Sequence, residues 1–203
     1  MAVLVQDNRP DRRELKALGQ RWLATPFGRK EGEWGYAPGR RLLLLERMLK
    51  LEGRPVDHEY KFHVAAGRTA YVIVKLGTPT LGKTFLVLNR DGRAWTAPSK
   101  GKGEPLPFRP PEAFIEMRTL SERLAAEFDF VRVDLYLADD GINFSELTIY
   151  PSSGYGHIGN DDLAQLRNRM WDLRDSWFMT TPQSGWRAAY AAALRRFLDF
   201  GTH

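Results

Sequence analysis

The chain has no cysteine among its 203 residues. That excludes disulfides, thiolate zinc sites and a cysteine nucleophile together. It also has no apolar run approaching the roughly 18 residues that a membrane-crossing helix requires, so no membrane span is expected. Met1 to Val5 is too short for the apolar region of a secretory leader and lacks a basic flank, which makes a cytoplasmic location the expectation. No G-x-G-x-x-G or Walker-type glycine loop is present, so neither of those nucleotide sites is indicated. Zinc-finger spacing and interleaved basic and aromatic residues are missing too, and nucleic acid is not an expected partner.

The composition, 43% hydrophobic and 27% charged, is that of a chain able to bury a core. The net charge of +5 is unevenly placed. Residues 1–50 hold eleven Lys/Arg and six Asp/Glu, whereas residues 51–203 hold nineteen of each. A basic first quarter can attract phosphates, or it can be a solvated helix face. Asp11 followed by Glu14 reads as a helix start, with Leu15, Leu18 and Trp22 at helical spacing and Thr25-Pro26 as its end. Arg41 to Glu46, a continuous leucine run, predicts a strand covered on both faces, and Leu51 to Val56 a loop. "EYKFHVAAGRTAYVIVKL" and "GKTFLVLNRDGRAWTA" predict hairpins turning at Ala66-Gly67 and Asp91-Gly92. Pro98 to Pro111 is loop, and Phe114, Met117, Leu120 and Leu124 form the stripe of the next helix. Two later helices follow, one with Leu163, Leu166, Met170, Leu173 and Trp177 inward, the other with Trp186, Tyr190, Leu194 and Phe197 aligned as core. Sequential hairpins with covering helices predict an α+β fold built on antiparallel sheet.

The informative segment is "VRVDLYLADDGINFSELTIYPSSG", residues 131–154. It predicts two strands and a turn at Asp139-Asp140-Gly141. Alternation places Arg132, Asp134 and Tyr136 on one face, and Phe144, Glu146, Thr148 and Tyr150 on the matching face of the second strand. Asp134 and Glu146 then become cross-strand neighbours. Two half-buried carboxylates repel at a cost of several kcal/mol unless compensated. Arg132 is expected to serve only one of them fully, whereas a divalent cation such as Mg²⁺ serves both. Two other readings stay open: a solvated rim where the acids never meet, and an acid–base pair for glycosyl processing.

That segment resembles the metal-binding hairpin of ATP-grasp ligases. It is closest to the teichuronopeptide-synthesis (TupA-like) family, in which an R-V-D-x-Y strand precedes a G-E-L-T-F-Y-P-x-S-G strand and loop. "GEWGYAPGRRLLLLERML", "EYKFHVAAGRTAYVIVK" and "EMRTLSERLAAEFDFVRVDLY" resemble further parts of it, so that the likeness spans roughly residues 10–160. The resemblance implies an ATP-grasp fold with ATP between two lobes and Mg²⁺ held by Asp134 and Glu146. Thr148 would take the place of a third metal ligand, and Arg132 would stabilise a developing oxyanion. It implies an adenine-binding hinge at Glu46, Arg47, Met48 and Leu49, a ribose ligand at Glu59, and phosphate-neutralising cations at Lys61 and Lys75. Residues 1–49 would be a partial small lobe and residues 50–203 the large lobe. The family's upstream lysine and glycine-rich clamp has no counterpart here, so a truncated N-terminal lobe is expected, with the excess positive charge of residues 1–50 or the "SKGKGEP" loop as substitutes for the clamp and a homo-oligomer or partner chain as the source of the missing lobe. His157 lies where a substrate could bind.

The function implied is ATP- and Mg²⁺-dependent carboxylate–amine coupling through an acyl phosphate, on a small-molecule or peptide carboxylate in cell-surface polysaccharide or peptide modification. The alternatives are a non-catalytic nucleotide-binding relic or regulatory module, and a glycosyl-processing enzyme using the Asp134/Glu146 pair.

Overall fold

A computed structural model describes residues 11–25, 41–77, 84–94, 108–154 and 161–200. Helix α1, Arg12–Ala24, begins where expected: the Asp11 carboxylate accepts the Arg13 N–H at 2.8 Å, and Thr25 ends the helix. Strands β1 (Lys50–Leu51) and β2 (Arg54–Pro55) form a small hairpin where a loop was expected. Its turn residues, Glu52 and Gly53, both have positive φ (52° and 74°), the backbone twist that two-residue hairpins favour.

The body of the fold is one antiparallel five-stranded sheet. Its strands are β3 (His58–Ala65), β4 (Arg68–Leu76), β5 (Thr84–Asn89), β6 (Phe130–Ala138) and β7 (Gly141–Thr148), in spatial order β5-β4-β3-β6-β7. Two hairpins thus meet along the β3–β6 seam. The Ala66-Gly67 turn is present, and the Asp91-Gly92 turn leads only to an isolated bridge, Leu88 to Ala94, within the described residues. Helix α2, Phe114–Leu124, covers one face. There Tyr60, Phe62, Val64, Val72, Val74, Leu86, Leu88, Val131, Val133 and Leu135 close around Phe114 and Met117. These are alternate positions of four strands and one stripe of the helix, which is why the sequence signals them.

The opposite face is divided. Toward the Ala66-Gly67 end, Tyr71, Ile73 and Val87 pack under Leu163, Leu166 and Met170 of the segment that begins with α3, Asp161–Arg169. The rest of that face is charged. This split explains the unbroken apolar run Tyr71–Val74, in which both faces of β4 are apolar at that end.

Gly92 fixes the exit from β5. Its φ is +82°, and a Cβ there would sit 2.9 Å from Pro110 Cγ and 3.1 Å from Phe114 Cε1. Gly92→Ala is expected to lose about 2 kcal/mol through left-handed strain and overpacking, measured by urea unfolding. Unchanged stability would contradict this packing.

Three expectations are corrected. Residues 41–46 are not a buried strand. Leu42, Leu43, Leu44 and Leu45 are 50–99% exposed, and no described strand lies beside them to supply a ladder. Their contacts are with α1: Arg41 donates to the Leu23 carbonyl at 2.7 Å, and Leu43 lies over Gly19. The helix expected to run through Trp177 stops at Arg169. Asp172 and Ser176 cap new short elements, a 3-10 turn at Leu173–Asp175 and helix α4, Trp177–Thr180, and Trp177 is left 67% exposed. Helix α5, Trp186–Phe200, exists, but Trp186, Tyr190 and Phe197 face outward; Ala191 is the buried residue.

Candidate active site

The charged half-face is assembled by register. Across β4, β3, β6 and β7, Lys75 lies opposite Glu59, Lys61 opposite Asp134, and Asp134 opposite Glu146. One rung along, His63 lies opposite Arg132 and Arg132 opposite Thr148. A bulge after Asp134 leaves Ser145 as the extra residue, and Phe144 becomes the partner of Leu135. Simple alternation, which put Phe144 with Glu146, fails at that bulge.

The side chains form a continuous chain of alternating charge. Lys75 donates to Glu59, and Lys61 donates to Glu59 Oε1 at 2.8 Å and to Asp134 Oδ2 at 2.5 Å. Arg132 clamps Asp134 with Nε and Nη2, both at 2.7 Å, and its Nη2 also donates to Glu146. Thr148 closes the row by donating to Glu146 Oε1 at 3.0 Å. Three acids meet three bases, and Asp134 is fully buried at the centre while Glu146 stands about half exposed at the rim.

Two parts of the electrostatic expectation are therefore settled differently. The acids do meet on one face, so the solvated-rim reading fails. The compensation, however, is supplied by the chain: Arg132 serves both carboxylates and Lys61 adds a second cation. The bulge narrows Asp134 and Glu146 onto one guanidinium, which alternation alone does not show. Neutrality of the row does not require a metal ion.

Burial pushes the Asp134 carboxyl above its ordinary value even against Arg132 and Lys61. At Glu59 burial acts in the same sense, but bonds from Lys61 and Lys75 outweigh it and leave the carboxyl low; at Glu146 burial is likewise outweighed, by Thr148 and the nearby cations. Tyr136 shares the face and bonds to Glu59 and Ser145, and its burial raises the phenol. It had been placed on this face by alternation without a role. His63, beside the row, is buried and stacked on Tyr71 at 4.2 Å between centroids.

The residues expected to form the hinge sit at the far end of the same hairpin. Arg47 pairs with Asp140, Leu49 O accepts from Val56 N at 3.0 Å, and Asp139 N donates to Lys50 O at 2.8 Å. Asp139 is five residues beyond Asp134, about 16 Å along a strand. Backbone groups of Glu46, Arg47 and Met48 make no hydrogen bond among the described residues. His157 and the "SKGKGEP" loop lie outside the described residues. A concavity of about 590 Å³, lined by Gly67, Arg123, Asp129, Arg169 and Trp171, opens at the opposite end of the sheet and does not include the charged row.

The donor chemistry fits a hard divalent cation: two adjacent carboxylates and a hydroxyl, all oxygen. Mg²⁺ commonly takes one or two carboxylates and fills its other positions with water and phosphate oxygens, so two suffice. Among the described residues no group of three or more acids or histidines forms a protein-only metal cage. No described helix is long and apolar enough to cross a membrane.

No significant match exists among curated proteins or solved structures. The family model described as TupA-like ATPgrasp matches residues 39–166. That interval holds every residue of the charged row and the segment from Glu46 to Leu49, and it covers more than half of the chain. The chain therefore belongs to the TupA-like ATP-grasp family.

Proposed function

We propose that the charged row is the phosphate end of an ATP site and that the protein couples a carboxylate to an amine. At the level of the family, an ATP-dependent, ligase-like activity follows from membership. The observation carrying the finer reading is the self-neutralised row from Lys75 to Glu146, buried in the middle and open at its rim. An internal ion network without a ligand gains little stability over apolar packing. It gains a use if a polyanion and a dication arrive together and partners exchange. Lys61, Lys75 and Arg132 would then serve phosphate oxygens, and Asp134 and Glu146, with Thr148, would hold Mg²⁺. The metal would neutralise the phosphates and polarise the transferred group.

Glu46 to Leu49 would receive the base, and Glu59 the ribose. The run from the hinge along β6 to Asp134 is of the order of an extended nucleoside triphosphate. A substrate carboxylate attacks the γ-phosphorus and ADP leaves; an amine then attacks the acyl phosphate, forming an amide and releasing phosphate. Arg132, already aimed at two carboxylates, is the residue suited to the acyl phosphate and the tetrahedral oxyanion. Reaction in cell-surface polymer modification is part of this proposal. The glycosyl-processing alternative is left as a third reading: both Asp134 oxygens are engaged by Arg132 and Lys61, so it would need the same exchange of partners, and family membership does not favour it.

The test is thermal unfolding with Mg²⁺ and ATP. At about 100 times the dissociation constant a ligand adds about 2.7 kcal/mol, which for this chain length is a rise of roughly 5–11 °C. Glu146→Gln, at the rim, should remove the metal-dependent part while retaining the fold. No shift with wild type would refute a nucleotide site. Phosphate release with candidate carboxylates and amines then separates a ligase from the second reading, a non-catalytic binding module.

A further inference from the structure

Helix α5 carries Trp186, Tyr190, Ala193 and Phe197 at spacings of four, three and four, the seam of a two-helix coiled coil. Most of this seam is turned away from the domain; only Tyr190, whose ring centroid lies 6.1 Å from that of Phe178 in α4, touches another element at one edge. Trp186 is 73% exposed, Tyr190 53% and Phe197 76%, and Ala189 and Ala193 are exposed between them. The helix is held to the rest of the chain mainly by a different side, through buried Ala191 and a bond from Arg195 to the Met179 carbonyl at 2.7 Å. Trp186 and Phe197 take no part in that attachment.

We infer that a second copy of this chain covers it, with the two α5 helices antiparallel. Three observations support that occupant. The four-three-four spacing reads the same in both directions, so two identical seams match when reversed: Trp186 meets the second copy's Phe197, and Tyr190 meets the second copy's Ala193. At the centre a large ring is thereby set against the small Ala193, which lets the helices approach closely, while the Trp186 and Phe197 rings meet each other at the two ends. The area also fits. A buried aromatic contributes about 150–250 Å², so three rings exposed by half to three quarters offer roughly 400 Å² per copy. With Ala189, Ala193 and the Arg196 stem, the pair reaches about 1,000 Å², the threshold for a specific interface. The register is also free of facing acids and sets Arg196 near the second copy's Tyr190 or Trp186 ring, as Arg187 already lies 5.6 Å from Trp186 within one chain.

An interface of this size gives a concentration-dependent dimer with a dissociation constant on the order of micromolar. Sedimentation equilibrium of the full chain, from about 1 to 200 µM, is expected to show monomer passing to dimer. Trp186→Glu with Phe197→Glu should be monomeric throughout, with far-UV circular dichroism and melting of the dilute protein nearly unchanged, since the ring contacts of Trp186 are with Tyr190 and Arg187 of its own helix and both side chains are about three quarters exposed. Ala188→Glu, on an exposed side of α5 away from the seam, should dimerise like wild type. A wild type that stays monomeric at the highest concentration overturns the inference, as does a double variant that still dimerises. If monomeric wild type instead sediments with anionic vesicles and the double variant does not, the face belongs to a lipid surface and the dimer is wrong.

Discussion

Arg132→Met is expected to cost about 3–5 kcal/mol of folding stability at neutral pH, measured by urea unfolding. Removing the guanidinium leaves the fully buried Asp134 with Lys61 alone and returns Glu146 to repulsion with it. The cost belongs to the abandoned charge more than to the lost bonds. Asp134→Asn in the Arg132→Met background should therefore recover at least half of it, and the double-mutant cycle should show strong coupling. Acid should also rescue the single variant in part. Asp134 already has a raised pKa, and losing Arg132 raises it further. A group shifted that way is stabilising when protonated, so stability returns as pH falls through its folded value. A loss below about 1 kcal/mol, typical of surface ion pairs, would mean that the row is solvated and the proposed site is not preorganised.

The second large effect is acid destabilisation through His63. Burial holds its pKa down at about 3, with Arg132 opposing a further positive charge, the Lys61 carbonyl favouring it, and Arg167 and Lys61 opposing it to a lesser degree. The unfolded value is about 6.5, so the unfolded chain binds the additional proton first. Full stability is present above pH 6.5 and is lost as pH falls toward 3. The slope is about 1.4 kcal/mol per pH unit, which gives about 2.7 kcal/mol by pH 4.5. His63→Phe keeps a ring against Tyr71 and should flatten that slope. The comparison of wild type with variant between pH 6.5 and 4.5 isolates His63, because Asp134 acts with the opposite sign in both proteins. Equal slopes would show that His63 is solvated or charged in the folded state.

What could be read in advance follows from how local each signal is. The Val131–Thr148 hairpin and the β3–β4 hairpin were legible because alternation and turn residues act over a few positions. The Asp134–Glu146 pairing was expected from alternation, but counted from the Ala138–Gly141 turn it comes into register only through the bulge at Ser145. The ionic solution was not legible in this way. Lys61 reaches Asp134 only because β3 lies beside β6, a pairing of residues 73 apart in sequence, and Arg132 bridges both acids only because the strand bulges at Ser145. Continuous apolar runs and stripes misled for a related reason. Leu42–Leu45 and Trp186–Phe197 state that a surface is apolar, not whether anything covers it.

The β3–β6 seam has a kinetic consequence. Each hairpin can form from near neighbours, but neither contains a complete site: β3–β4 holds Glu59, Lys61 and Lys75, and β6–β7 holds Arg132, Asp134, Glu146 and Thr148. Closing a long loop must precede the reward of joining them. During synthesis, a ribosome-bound chain that has folded its first hairpin carries Glu59 between Lys61 and Lys75, one cation in excess and without its Asp134 partner. The charged row is completed in one step, when the second hairpin docks and zips the seam.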